Sequence, residues 1–196
     1  AVSSWLSEKL WIEDTFRKKY KFKGKVSYCQ HHLSHAANAA FQSSFDDASY
    51  LIIDGVGEKA CTSYGTFEKG ILTPIKEQHY PHSIGLLYSA FTYYCGFKVN
   101  SGEYKLMGLA PYGEPKYVDT IYKIVNQKED GSIELNLTYF AFHKDLKMIN
   151  HHFEDLFGHP ARKENEEMTL FFKDIAASIQ KVTEDIVLNT IDFVLT

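Results

Sequence analysis

Tyr50-Leu51-Ile52-Ile53-Asp54-Gly55-Val56-Gly57-Glu58 says most about the architecture of this chain. Four apolar residues in a row predict a buried strand, and Asp54 follows at once, so its carboxylate is expected at the strand's C-terminal end. Ligands of α/β proteins gather at that edge. Gly55 and Gly57 would let a phosphate or acyl group come close to the backbone. Downstream, Cys61–Glu68 and Ile71–His79 alternate around Lys69-Gly70 and predict a hairpin. Upstream, a helix is expected from His31 through Ala36-Ala37-Asn38-Ala39-Ala40-Phe41, whose small residues suit tight packing on a sheet.

Further out, residues 2–20 have a helical apolar period, and Val26–Cys29 predicts a short strand behind a lysine-rich run. Helices are expected over Ser83–Phe97, from Pro115 to Val125, over Leu146–Phe157 and over Thr169–Leu195. Asp130-Gly131 marks a tight turn before the strand Ile133–Leu137. Strands feeding helices favour an α/β layer architecture with a mixed sheet.

Composition narrows the function classes. An apolar fraction of 44% and a charged fraction of 23% over 196 residues are ordinary globular values, so disorder is a poor reading. A formal net charge of -4 argues against a general nucleic-acid binder. Cys29, Cys61 and Cys95 lack framework spacing and fit reduced, buried thiols in a cytoplasmic protein. No apolar run approaches the ~18 residues a membrane span needs. The chain opens on Ala1 without a signal-peptide layout, and its last apolar period has no cap, as expected of an internal piece.

The chemistry concentrates in Gln30-His31-His32-Leu33-Ser34-His35. On a helix, His31 and His35 stand one turn apart on one face, while His32 turns away by about 100°. With Asp54 they make a set of two imidazoles and one carboxylate that leaves positions open for water or substrate. Iron(II) is the first expectation, and manganese and zinc also tolerate the set. The bland alternative is a pair of packing histidines and a turn-forming Asp-Gly. A second dense stretch runs from Asn100 to Gly113 and contains Gly102-Glu103-Tyr104-Lys105-Leu106-Met107-Gly108. There Lys105 could neutralise a phosphate or polarise a carbonyl, unless it is a solvated lysine on a packed turn–helix–turn. The remaining histidines form no compelling ligand set, and His151 and His152, adjacent on a helix, should not both face one site.

His31-His32-Leu33-Ser34-His35-Ala36-Ala37, Ala40–Phe45, Asp54-Gly55-Val56-Gly57-Glu58 and Gly102–Gly113, in that order, resemble the NodU/CmcH carbamoyltransferases. The resemblance implies an actin-like/Hsp70-like ATPase fold, here one incomplete lobe, with a second lobe and a YrdC-like domain beyond Thr196. It also implies a reaction. Carbamoyl phosphate and ATP give carbamoyladenylate, and the carbamoyl group passes to a hydroxyl of a small-molecule acceptor. Metal ligands of the family map onto His31, His35 and Asp54, and a further aspartate from the second lobe completes the site. Gly55, Gly57 and Glu58 are expected beside the nucleotide and Lys105 as a catalytic group. Two other readings keep the fold: a threonylcarbamoyl-transfer protein acting on tRNA, and a non-catalytic module.

Overall fold

The computed structural model describes residues 11–195, in which residues up to Gln30 belong to one unit and residues from His31 to another. In the first, helix α1 spans Ile12–Lys19. Its charges pair one turn apart, Arg17 to Glu13 at 2.6 Å and Lys18 to Asp14 at 3.1 Å. Residues 2–10 of the expected helix lie outside the described residues. The expected strand Val26–Cys29 is not formed. A run this short, with Ser27 inside it, carries too weak a local preference to fix a strand.

The second unit begins with helix α2, His31–Ala40, as its small residues predict. Strands β1 (Asp47–Gly57), β2 (Ala60–Glu68) and β3 (Ile71–His79) follow as a meander in the order β1-β2-β3, every pair antiparallel. The expected mixed sheet is thereby corrected. Two-residue turns at Glu58-Lys59 and Lys69-Gly70 join neighbours directly, and a parallel pair would need a long crossover. Lys69 and Gly70 both have left-handed φ, 49° and 81°, the conformation tight hairpin turns require. β2 lies between two strands and is buried along nearly all its length. β1 is an edge strand, so Tyr50–Ile53 is half-buried rather than buried.

Helices α2 and α3 (Ile84–Tyr94) both pack on β1. Ser83 caps α3 by accepting from the Leu86 N–H at 3.0 Å. That helix is sunk in the core, with Leu87, Phe91 and Tyr94 fully buried. Phe91 meets Phe153 edge-on at 5.1 Å, and Tyr94 meets Phe172 at 5.8 Å. Each such buried ring contributes about 2–3 kcal/mol through lost water contact. Tyr94 is therefore a core residue, as its apolar helix predicts, and Tyr88 and Tyr93 are half-buried against that core.

Helix α4 (Glu103–Leu109) runs into a 3-10 turn at Ala110–Tyr112. Helix α5 covers only Val118–Ile121, short of the expected 115–125, because Val125 is already paired in a second hairpin. Its strands are β4 (Val125–Gln127) and β5 (Ile133–Leu135), and the turn uses Gly131 at φ 75°. Helix α6 spans His151–Phe157 and starts five residues later than expected. A bridge between Phe140 and Ile149 holds the preceding residues extended, and Asn150 then caps the helix. Gly158 ends it at φ 67°.

Helix α7, Leu170–Leu195, closes the core with Phe172, Ile175, Ile179, Val182 and Ile186. Its buried Asp174 accepts from the Glu114 N–H at 2.8 Å and from the Lys116 ammonium at 2.9 Å, tying α7 to the loop after Gly113. Cys61 and Cys95 are buried as expected, whereas Cys29 is exposed. Among the described residues no helix is long and apolar enough to cross a membrane.

Candidate metal centre

His31 opens helix α2, and His35 follows one turn on. Their Nε2 atoms are 3.1 Å apart, and His31 Nε2 lies 2.8 Å from Asp54 Oδ2. One donor atom from each of the three residues falls within 4.8 Å of the others. Donor atoms around an ion with bonds of ~2.0–2.2 Å stand about 3 Å apart, so this set fits a cation. All three residues retain solvent access, which leaves room for water or substrate.

Asp54 reaches this position by a different route from the expected one. It does not end β1, which continues to Gly57. Ile53 pairs with Thr62 and Gly57 with Ala60, so residues 54–56 face Cys61 alone and the strand bulges. Bulges re-aim side chains. The bulge is held from behind by α3. A side chain at Gly85 would meet the Asp54 carbonyl oxygen at 2.8 Å, and the Ser83 hydroxyl donates to the Gly55 carbonyl at 2.7 Å. The second Asp54 oxygen accepts from the Gly55 N–H at 2.6 Å, which fixes the carboxylate.

His32 is not one of the three converging residues and is buried against β2. Its Nδ1 shares a hydrogen bond with Ser63 Oγ at 2.7 Å, anchoring the start of α2 to the sheet. Burial pushes the His32 imidazole below its usual pKa, partly opposed by the charge of Asp54. Gly57 serves these rings: a Cβ there would collide with His31 Cδ2 and come 2.8 Å from His32 Cδ2. Gly55 has open space where its side chain would be. Glu58 is exposed in the hairpin turn at a left-handed φ of 62°.

A cavity of about 590 Å³ adjoins the carboxylate, with Asp54, Gly55, Ser89, Asn100, Glu103 and Thr183 in its wall. Lys105 is exposed and is not part of that wall. Two residues along a helix is about 200° of rotation, so when Glu103 turns inward Lys105 turns out. Glu103 accepts from Ser89 Oγ at 2.8 Å, from the Asn100 N–H at 2.9 Å and from the Gly102 N–H at 3.1 Å. Burial alone would raise its pKa, but these donors outweigh burial and hold the carboxyl below its usual range. The clue in the sequence was a carboxylate in the first turn of a helix behind a glycine.

The structure also corrects the expectation for His151 and His152. One ring nitrogen of each and a carboxylate oxygen of Asp155 lie within 4.8 Å of one another. Helical angles explain it. Asp155, three and four residues on, falls at about 40° between the two rings, which are about 100° apart.

The family profile described as Carbamoyltransferase N-terminus matches residues 2–196. The uncharacterized protein sll1178 of Synechocystis sp. is 53% identical to the chain over 198 residues, covering 96% of this chain and 32% of that protein. The nodulation protein NolNO of Sinorhizobium fredii is 30% identical, covering 85% of the chain and 23% of its own length. NolO of Bradyrhizobium diazoefficiens is 26% identical, with 82% and 27% covered. The chain thus spans about a quarter to a third of these relatives.

Proposed function

The chain belongs to the carbamoyltransferase family, matching its N-terminal part, and on that premise we propose that it supplies the metal-holding portion of a carbamoyl-transfer site. The reading is carried by the convergence of His31, His35 and Asp54 from a helix and a bulged strand. In it the chain forms part of an actin-like lobe, and longer relatives leave room for a second lobe and a YrdC-like domain. Carbamoyladenylate, made from carbamoyl phosphate and ATP, is the donor, and a hydroxyl of a small molecule is the acceptor.

His31, His35 and Asp54 would hold iron(II), manganese or zinc, and a bound cation supplies positive charge that offsets charge on the leaving phosphate. The chain's own residues do the positioning. Gly55, open on its side-chain face, lets the backbone approach the donor. Glu103, ionised and tied to the wall of the cavity, offers acceptor lone pairs to ligand hydroxyls. The acceptor oxygen forms a bond to the carbamoyl carbon, the bond from that carbon to the phosphate oxygen breaks with its electron pair leaving on AMP, and the hydroxyl proton passes to solvent water. In this reading Gly57 makes room for the imidazoles, and Glu58 lies near the nucleotide only if the donor extends along the hairpin turn. Lys105 would act on charge beyond the exposed face of α4.

Calorimetric titration with manganese or iron(II) tests the reading, comparing the parent with His31→Ala plus His35→Ala. The double variant should bind one equivalent fewer than the parent. Ligation needs neutral imidazoles, so affinity should fall on acidification. Equal binding by the two proteins would reject the metal centre.

A further inference from the structure

Helix α6 presents His151, His152 and Asp155 on its exposed side, and none of the three belongs to the site just described. The two imidazole rings lie 3.9 Å apart between centroids, tilted by 41°. Among the described residues, neither the ring nitrogens nor the Asp155 carboxylate has a hydrogen-bond partner, so their lone pairs are available. The base of the cluster is fixed. Phe153 is fully buried and Phe157 nearly so, which sets the rotation of the helix. Asn150 accepts from the His152 N–H at 3.0 Å and donates to the Thr138 carbonyl at 2.9 Å, which holds the first turn in place. A cavity of about 310 Å³ opens beside it, with Thr138, Tyr139, His152 and Asp155 in its wall, and leaves space for water ligands.

We propose that His151, His152 and Asp155 form a second cation site, selective for a borderline transition metal such as zinc(II). Two imidazoles and one carboxylate suit zinc, copper(II) or nickel and disfavour magnesium and calcium, which prefer all-oxygen sets. Tetrahedral zinc with bonds of ~2.05 Å separates its donors by roughly 3.3 Å. The three donor atoms already lie within 4.8 Å of one another, and exposed side chains can close the remainder by small rotations. Side chains on a helix lean toward its N-terminus, which carries Asp155 down onto the turn that bears the two rings.

Zinc titration followed by calorimetry tests the site in protein already carrying His31→Ala and His35→Ala. One equivalent of zinc should still bind. Adding His151→Ala and His152→Ala should abolish that uptake, with circular dichroism unchanged because all these side chains are exposed. Asp155→Asn alone should weaken it by at least about tenfold, the size of loss that even an outer partner of a ligand causes. Zinc uptake unaltered by the His151 and His152 substitutions would overturn the proposal. No change on removing His31 and His35 would instead count against the first metal centre and leave this one standing.

Discussion

The α-carbon of Gly57 lies against the imidazole of His31, so that a methyl group added at Gly57 would overlap the ring's Cδ2 atom. A residue that reads as a gap for a phosphate is occupied instead by the side chains of the candidate site. Gly57→Ala should therefore displace His31 and His32 and lower manganese affinity by about tenfold or more. Overpacking of this kind also costs about 1–3 kcal/mol of stability. Gly55→Ala is the control. A side chain at Gly55 would project into open space, so manganese affinity measured by calorimetry should stay at the parental value.

Ser63 acts on the same site from the sheet side. Removing its hydroxyl leaves His32 Nδ1 buried without a partner, at a cost of about 1–3 kcal/mol. Ser63→Ala should lower the unfolding free energy measured in urea by that amount, and so lower the midpoint, and should weaken manganese binding, since the first turn of α2 loses its anchor. A midpoint equal to the parent's would show that the bond contributes nothing.

Acid stability should report Asp174. Burial alone would raise its carboxyl pKa, but the Glu114 N–H and the Lys116 ammonium outweigh burial and hold it below the usual range. A folded pKa below the unfolded value of about 3.9 means that the stabilisation is present above that pH and lost as the pH falls through the folded value. Asp174→Asn should be less stable than the parent at pH 7, and the difference should shrink below about pH 4. Thermal melts across that range measure it. Glu103 shifts in the same direction, so some acid sensitivity should persist in the variant.

The aromatic core carries the largest single effects. Phe91 is fully buried between Phe153 and Phe157, with ring centroids 5.1 and 5.6 Å away. Phe91→Ala should cost about 3–5 kcal/mol in chemical denaturation, through lost burial and the cavity left behind. A loss below 1 kcal/mol would mean that the core collapses to fill the space.

Local pattern alone determined much of this chain. The small-residue helix after His31, the hairpin around Lys69-Gly70, the apolar helix after Ser83 and the long helix ending at Leu195 all follow from period and turn chemistry, which act between neighbours. The candidate ligands were legible for the same reason, because a one-turn spacing fixes two side chains on one face. Tertiary structure decided the rest. A four-residue run such as Val26–Cys29 has too weak a local preference to decide its own structure, and Leu146–Ile149 stayed out of a helix because Phe140 pairs with Ile149. The bulge that aims Asp54 at His31 exists only because β1 meets β2 out of register. Glu103 rather than Lys105 faces the cavity because packing of Leu106 against the core sets the rotation of α4, and one residue's neighbours do not encode that angle.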